Sequence, residues 1–193
     1  MFKKLYDWTL SLSASPRAPQ ALGAISFAES SFFPIPPDIM LVPMVMAKPE
    51  KAWHYATICT IASVLGGILG YAIGALLYDT IGAWLIQLYG YGNKMDGFRA
   101  LYQQHGHWII LIKGFTPIPF KLITIASGLA GYDFVMFVLL SALTRAARFF
   151  FVAGIMNRFG GPLRRLIEEN LTLVGIGSIV AIIAGFVIAK YLF

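Results

Sequence analysis

Charge is scarce in this chain. Only 12% of its 193 residues are Asp, Glu, Lys or Arg, against about 25% in an ordinary soluble domain. A water-facing surface cannot be covered with so few charges, so lipid rather than water is the expected solvent. Cysteine is scarcer still. Cys59 stands alone in an apolar run, which excludes an internal disulfide and leaves it as a small core residue. The sequence also lacks GxSxG, HExxH, a P-loop and any GxGxxG ahead of a helix. No nucleophile, base and orienting group stand together, so neither an enzyme nor a cofactor is expected. His105 and His107 have no Cys or acidic ligand nearby, and no metal site is read from them. His54, between Trp53 and Tyr55, fits an interfacial belt. The net charge of +6 comes from scattered rather than striped basic residues. That pattern flanks membrane spans and excludes nucleic acid as the expected partner.

Apolar residues dominate instead: 58% are hydrophobic and 15% aromatic, with mean hydropathy +0.73. The clearest membrane span is 52–78, 27 residues without a charge, where about 20 suffice. Gly66, Gly70 and Gly74 recur every fourth residue on one face of it. Such a face admits another helix closely, within the chain or in a homo-oligomer. A second span is expected at 134–157 and a third at 170–189. Residues 1–17 place Leu5, Trp8 and Leu12 on one helical face beside Lys3 and Lys4, as in an interfacial helix. Asp7 and several serines interrupt the apolar stretch there, which argues against a signal peptide.

Two regions are apolar yet broken by proline. Pro34, Pro36 and Pro37 interrupt the first, and Pro117 and Pro119 the second. Each proline removes an amide donor and clashes with the preceding turn. Helices are therefore expected near 20–33 and 38–47, and near 101–115 and 121–131. The second member of each pair is only about 15 Å long, half of a hydrocarbon core of roughly 30 Å. Half-length helices joined at a break describe a re-entrant hairpin, here near 20–47 and 101–131. The breaks align at an offset of 83: Pro34-Ile35-Pro36 on Pro117-Ile118-Pro119, then Asp38 on Lys121. Span 52–78 then falls on span 134–157. Each repeat is a hairpin followed by a span, and one crossing between the hairpins makes the repeats inverted, a recurrent transporter plan. The expected architecture is thus an all-α polytopic membrane protein. An N-terminal segment at 1–17 precedes an inverted-repeat core at 18–169, and 170–193 holds the last spanning helix. Eight basic residues flank one side (Lys3, Lys4, Arg17, Lys48, Lys51, Arg158, Arg164, Arg165) and three the other (Lys94, Arg99, Lys190), which places the N-terminus in the cytoplasm.

Six ionisable residues fall at expected membrane depth: Glu29, Asp38, Lys113, Lys121, Arg145 and Arg148. Each costs about 2.5–3.5 kcal/mol unless paired or hydrated. One reading is a structural cluster of ion pairs locking the hairpins together. Two acids against four bases nevertheless leave an excess of +2, and arginine does not shed its proton. An anion is therefore expected, best a lipid phosphate. Lys121 opens a half-helix, where backbone N–H groups favour anions, and Thr124 follows three residues later with a hydroxyl. Arg145 and Arg148, at i and i+3, share a face suited to a fork. Asp38 either caps its half-helix or takes part in function. Glu29 has no capping role, and a carboxyl in a dehydrated hairpin can exchange protons.

These residues resemble a known family. The stretch FAESSFFPIPPD, then GGILGYAIG, then GFTPIPFKLITIASGLAG and the helix holding Arg145 are similar to the DedA family, also called VTT-domain or SNARE-associated Golgi proteins, over roughly residues 20–160. The PIPFK break resembles its YqaA-type branch. The resemblance implies two facing re-entrant hairpins in the bacterial inner membrane. It also implies lipid translocation, either scrambling of phospholipids or recycling of undecaprenyl phosphate. The family's acidic residues correspond to Glu29 and Asp38, and its second-hairpin arginines to Lys113 and Lys121. The usual Arg-Phe-x-Pro-Gly-x-Arg is longer here and lacks arginine, and Pro37 stands where glycine usually precedes the acid.

The expected function is movement of an anionic, phosphate-headed membrane lipid between leaflets, as a flippase or scramblase. Lys113, Lys121, Thr124, Arg145 and Arg148 hold the phosphate in this reading, and Glu29 and Asp38 couple protons. The alternatives are a non-transporting membrane organiser locked by its ion pairs, and a small-ion or drug exporter.

Overall fold

The computed structural model describes residues 15–32, 36–77, 92–115 and 119–169, with side chains at 95–112 and only to residue 160 in the last stretch. Among these residues there are six α-helices, one 3-10 turn and no strand. The helices are α1 (Ala18–Ser31), α2 (Asp38–Ala47), α3 (Ala52–Leu77), α4 (Gly92–Phe115), α5 (Phe120–Leu129) and α6 (Phe134–Glu169), with the 3-10 turn at Pro49–Lys51. Residues 1–14 of the expected N-terminal segment 1–17, the expected span at 170–193, Pro34 and Pro117 lie outside the described residues.

The proline rule accounts for the interruptions. After α1 the Phe32 amide closes on the Ala28 carbonyl at 2.9 Å. Pro36 and Pro37 are not helical, and α2 begins at Asp38. α5 begins directly after Pro119, whose extended ψ of 122° cannot belong to a helix. Both α2 and α5 are ten residues long, the half-length expected. Pro43 sits inside α2, buried, and does not end it.

Two boundaries differ from expectation. α4 begins at Gly92 rather than near 101, although 92–100 contains two glycines and charges. Packing overrides propensity here: Phe98 packs at a tilt against Tyr102, one turn on, at 5.6 Å between ring centroids, and joins a buried cluster. α6 runs on to Glu169 through Gly160, Gly161 and Pro162. Its extension places Arg164 four residues before Glu168, and Arg165 four before Glu169, a spacing of opposite charges that supports a helix.

Two segments, Pro49–Leu77 and Phe134–Gly160, are long and apolar enough to cross a membrane, and only 28% of each core window is buried. A core helix of a soluble protein would be mostly covered. Ile61, Leu65, Leu69 and Leu76 form an exposed stripe on α3, and Val135, Leu139 and Leu143 another on α6. Apolar surface on this scale needs a non-aqueous neighbour.

α3 is the central post. Its opposite face carries Cys59, Ser63, Gly66, Gly67, Gly70 and Gly74, all buried. α1, α5 and α6 all pack on it. A Cβ at Gly66 would overlap the Phe27 carbonyl of α1; one at Gly74 would overlap the Ile125 carbonyl of α5. Gly128 of α5 returns the contact, its missing side chain making room for the Tyr71 carbonyl. Two kinds of helix contact recur in both halves. α1 packs on α3 and α4 on α6, each within its own half. α5 packs on α3 and α2 on α6, each on the other half's long helix.

Candidate functional site

Four of the six charges expected at depth meet in two ion pairs. Arg145 Nη2 donates to Glu29 Oε2 at 2.7 Å, and Arg148 Nη2 to Asp38 Oδ2 at 2.6 Å. The i, i+3 spacing puts both arginines on one side of α6, as anticipated. They do not form an open fork. Each is turned to its own acid, one on either side of the Pro36–Pro37 break. The first pair is deeply buried, with side-chain exposures of 1% and 11%; the second is half-open, at 28% and 25%. Asp38 makes no capping hydrogen bond to α2, because its carboxylate faces Arg148.

Around the inner pair the sequence builds a closed ring of hydrogen bonds. Arg145 Nε donates to Ser63 Oγ. Ser63 and Ser30 hydroxyls lie 2.6 Å apart, and Ser30 Oγ donates to Glu29 Oε2 at 3.2 Å. With Ser30 donating to Glu29, Ser63 donates to Ser30, so each hydroxyl accepts one proton and gives one. The ring ties α1, α3 and α6 together. The guanidinium carbon is also sandwiched between Phe120 and Phe149, 4.6 and 4.7 Å from their centroids. These two rings belong to two separate apolar clusters among the described residues, so Arg145 sits where they join. Cation–π attraction strengthens as the site is desolvated.

Ser30 and Ser63 were not among the residues singled out by sequence reasoning. A signal existed: Ser63 lies three residues before Gly66, on the small-residue face of an otherwise apolar helix. Ser63→Ala is expected to destabilise the protein by about 1–3 kcal/mol, because it strips the acceptor from a buried guanidinium. Thermal unfolding in detergent measures this, and Ser63→Thr, which keeps the hydroxyl, is the control.

Thr124 is fully buried. Its hydroxyl lies 3.1 Å from the Ser30 carbonyl and 2.9 Å from that of Lys121. It is thus turned into the contact between α1 and α5 rather than outward to a ligand. This contact brings the end of α1, just before the first break, against the opening turn of α5, just after the second. Ser31 adds a bond across to the Gly66 carbonyl at 2.9 Å. Lys121 lies one turn before Thr124, partly exposed, and makes no ion pair among the described residues. Lys113 is placed on α4 by its backbone, and its side chain lies outside the described residues. Two polar atoms near the pairs are buried without a hydrogen-bond partner among the described residues: Arg145 Nη1 and Asp38 Oδ1. No group of three His, Cys, Asp or Glu able to hold a metal occurs among the described residues.

The ion-paired network joins α1, α3 and α6, and Lys121 stands in the first turn of α5 without an ion pair among the described residues. A protein of Haemophilus influenzae (strain Rd) described as uncharacterized is 36% identical over 189 residues, covering 97% of this chain and 98% of that protein. A second uncharacterized protein, from Histophilus somni, is 32% identical over 190 residues, covering 98% and 99%. No solved structure matches the chain. The VTT domain matches residues 35–158, a stretch that runs from the first break through α6 to Arg158 and takes in Asp38, Ser63, Lys121, Arg145 and Arg148. The chain is a member of the VTT-domain, or DedA, family, and with it a membrane protein.

Proposed function

We propose that this protein carries an anionic, phosphate-headed lipid between the leaflets of a bacterial inner membrane, with its two hairpins re-entrant and its halves inverted. The observation that carries this reading is the charge balance. Glu29 and Asp38 are both taken up by arginines, so the surplus of +2 resides on Lys113 and Lys121. Lys121 stands at the start of α5, where free amide groups favour an anion. Two helix contacts that recur when the halves are exchanged, α1 on α3 with α4 on α6 and α5 on α3 with α2 on α6, support the inverted repeat. The basic flanking residues support a cytoplasmic N-terminus.

The ion pairs supply a means of coupling. Proton uptake by Glu29 or Asp38 would dissolve its pair, and the arginine, which keeps its charge, would then need another anion. A lipid phosphate held by Lys121 and Lys113 satisfies that need. Arg145 Nη1, which has no partner among the described residues, is a donor ready for it. When the proton leaves, the acid reclaims its arginine and the phosphate is released. Thr124 serves in this scheme by holding α5 against α1.

The test is lipid crossing in vesicles containing the purified protein. Lys121→Ala is expected to slow crossing of a labelled anionic lipid at least tenfold, with the thermal stability kept. Glu29→Gln is expected to remove the dependence of crossing on pH. Normal crossing by both variants would overturn the proposal. A second reading is favoured by the ion pairs themselves: a membrane organiser in which they simply lock the hairpins. It requires that no lipid crosses above the rate of empty vesicles.

A further inference from the structure

A second basic site stands at the other end of α3. There, three segments meet: Ser15–Pro19 at the start of α1, the 3-10 turn Pro49–Lys51, and the first turn of α3. Between them lies a cavity of about 330 Å³ lined by Ser15, Pro19, Lys48, Lys51, His54 and Tyr55 among others. Small-molecule sites occupy about 300–1,000 Å³. The lining has two characters. The Pro19 ring and the Tyr55 ring, which is only 3% exposed, give it an apolar wall. Lys48 and Lys51 give it two cations. Neither lysine forms an ion pair among the described residues, although Glu50 lies between them in sequence. Ser15 Oγ accepts the Arg17 amide at 3.2 Å, which leaves its own O–H to donate. This is separate from the network around Arg145, because Ser63 lies about 12 Å further along α3 from Tyr55, the last residue of that helix in the lining.

We infer that this cavity binds a phosphate-bearing anion, either the head group of an anionic phospholipid or free phosphate. Its position favours the lipid as the source. The apolar helix that begins at Pro49 is long enough to enter a bilayer, and Trp53, half exposed in the first turn of α3 and stacked on Phe150 of α6, is the residue type found at head-group level. Lys48, Lys51 and Ser15 meet the phosphate oxygens, while Pro19 and Tyr55 face the start of the acyl chains. Basic pockets between membrane helices hold anionic head groups in this way. The inference is independent of whether lipids cross the membrane at Lys121.

The experiment uses the full chain in non-ionic detergent, with bound lipid counted by native mass spectrometry. It is run in the Lys121→Ala background, so that a head-group site there does not contribute. Phosphatidylglycerol is expected to bind and phosphatidylcholine to bind far less. Lys48→Ala with Lys51→Ala is expected to weaken phosphatidylglycerol binding roughly thirtyfold, about fivefold for each lysine. Lys48→Arg with Lys51→Arg is expected to retain it. If added phosphate displaces the lipid with the same lysine dependence, free phosphate is the source; if it does not, the lipid is. Equal binding of phosphatidylglycerol by the double alanine variant and its parent would overturn the inference, as would equal binding of the two lipids by the parent.

Discussion

Arg145→Met is expected to destabilise the protein by about 3–5 kcal/mol, the cost of leaving one member of a buried ion pair without its partner. For a chain of this size that corresponds to a fall of roughly 6–20 °C in the unfolding midpoint. The loss has three sources. Glu29 keeps a buried carboxylate that, among the described residues, has only Ser30 still bonded to it. Ser63 loses the donor that orients its hydroxyl. Phe120 and Phe149 lose the cation packed between them. Glu29→Leu combined with Arg145→Met removes both charges, and is expected to return close to the parent stability, since apolar replacement of a buried pair is often neutral or better. The measurement is thermal unfolding of the single and double variants in one detergent. A double variant as unstable as the single would show that the pair is not the unit that matters. A stable double variant also separates the two readings of function. It should hold its fold yet fail to carry lipid if the pair is part of the pathway, and should behave as the parent in every respect if the pair is only a lock.

Gly74→Ala and Gly128→Ala are expected to cost about 1–3 kcal/mol each, toward the upper end, by overpacking. At Gly128 the added methyl would overlap the Tyr71 carbonyl and crowd the Ala75 amide; at Gly74 it would overlap the Ile125 carbonyl and crowd the Leu129 amide. These neighbours are backbone, which cannot swing aside as a side chain can. The two sites serve the same crossing of α3 and α5. Once one methyl has pushed the helices apart, the second meets less resistance, so the double variant should cost less than the sum. Separating the helices also pulls Thr124 away from Ser30, and lipid crossing should fall along with stability. Unfolding midpoints for the two singles and the double test this. Strict additivity would mean that the glycines act at independent contacts. Gly97→Ala, on α4 with open space around its Cβ position, is the control expected to change little.

The helices were legible in the sequence because their signals are local. Pro36, Pro37 and Pro119 end or delay helices through covalent geometry alone, so α2 begins at Asp38 as expected and α5 within a residue of expectation. The small face of α3 was legible because glycines at every fourth residue have one use in an apolar helix. The early start of α4 was not, because Gly92 and Gly97 argue locally for a loop, and only the packing of Phe98 on Tyr102 outweighs them. Thr124 shows the same limit at the site. Its hydroxyl, one turn after Lys121, was read as a ligand to phosphate, and the close approach permitted by Gly70 turned it to the neighbouring helix instead.

By itself, the sequence determined that lipid is the solvent, where the broken helices lie, and that six charges must be accommodated with two positive charges left over. Composition, proline geometry and charge arithmetic need no knowledge of which helix faces which. Only the tertiary structure decided that Glu29 takes Arg145 and Asp38 takes Arg148, partners 116 and 110 residues apart, with Ser30 and Ser63 closing the ring. Any of four bases could have met either acid. The choice depends on the rotation of α1 and α6 about their axes, which is set by how closely the glycine face of α3 lets its neighbours approach.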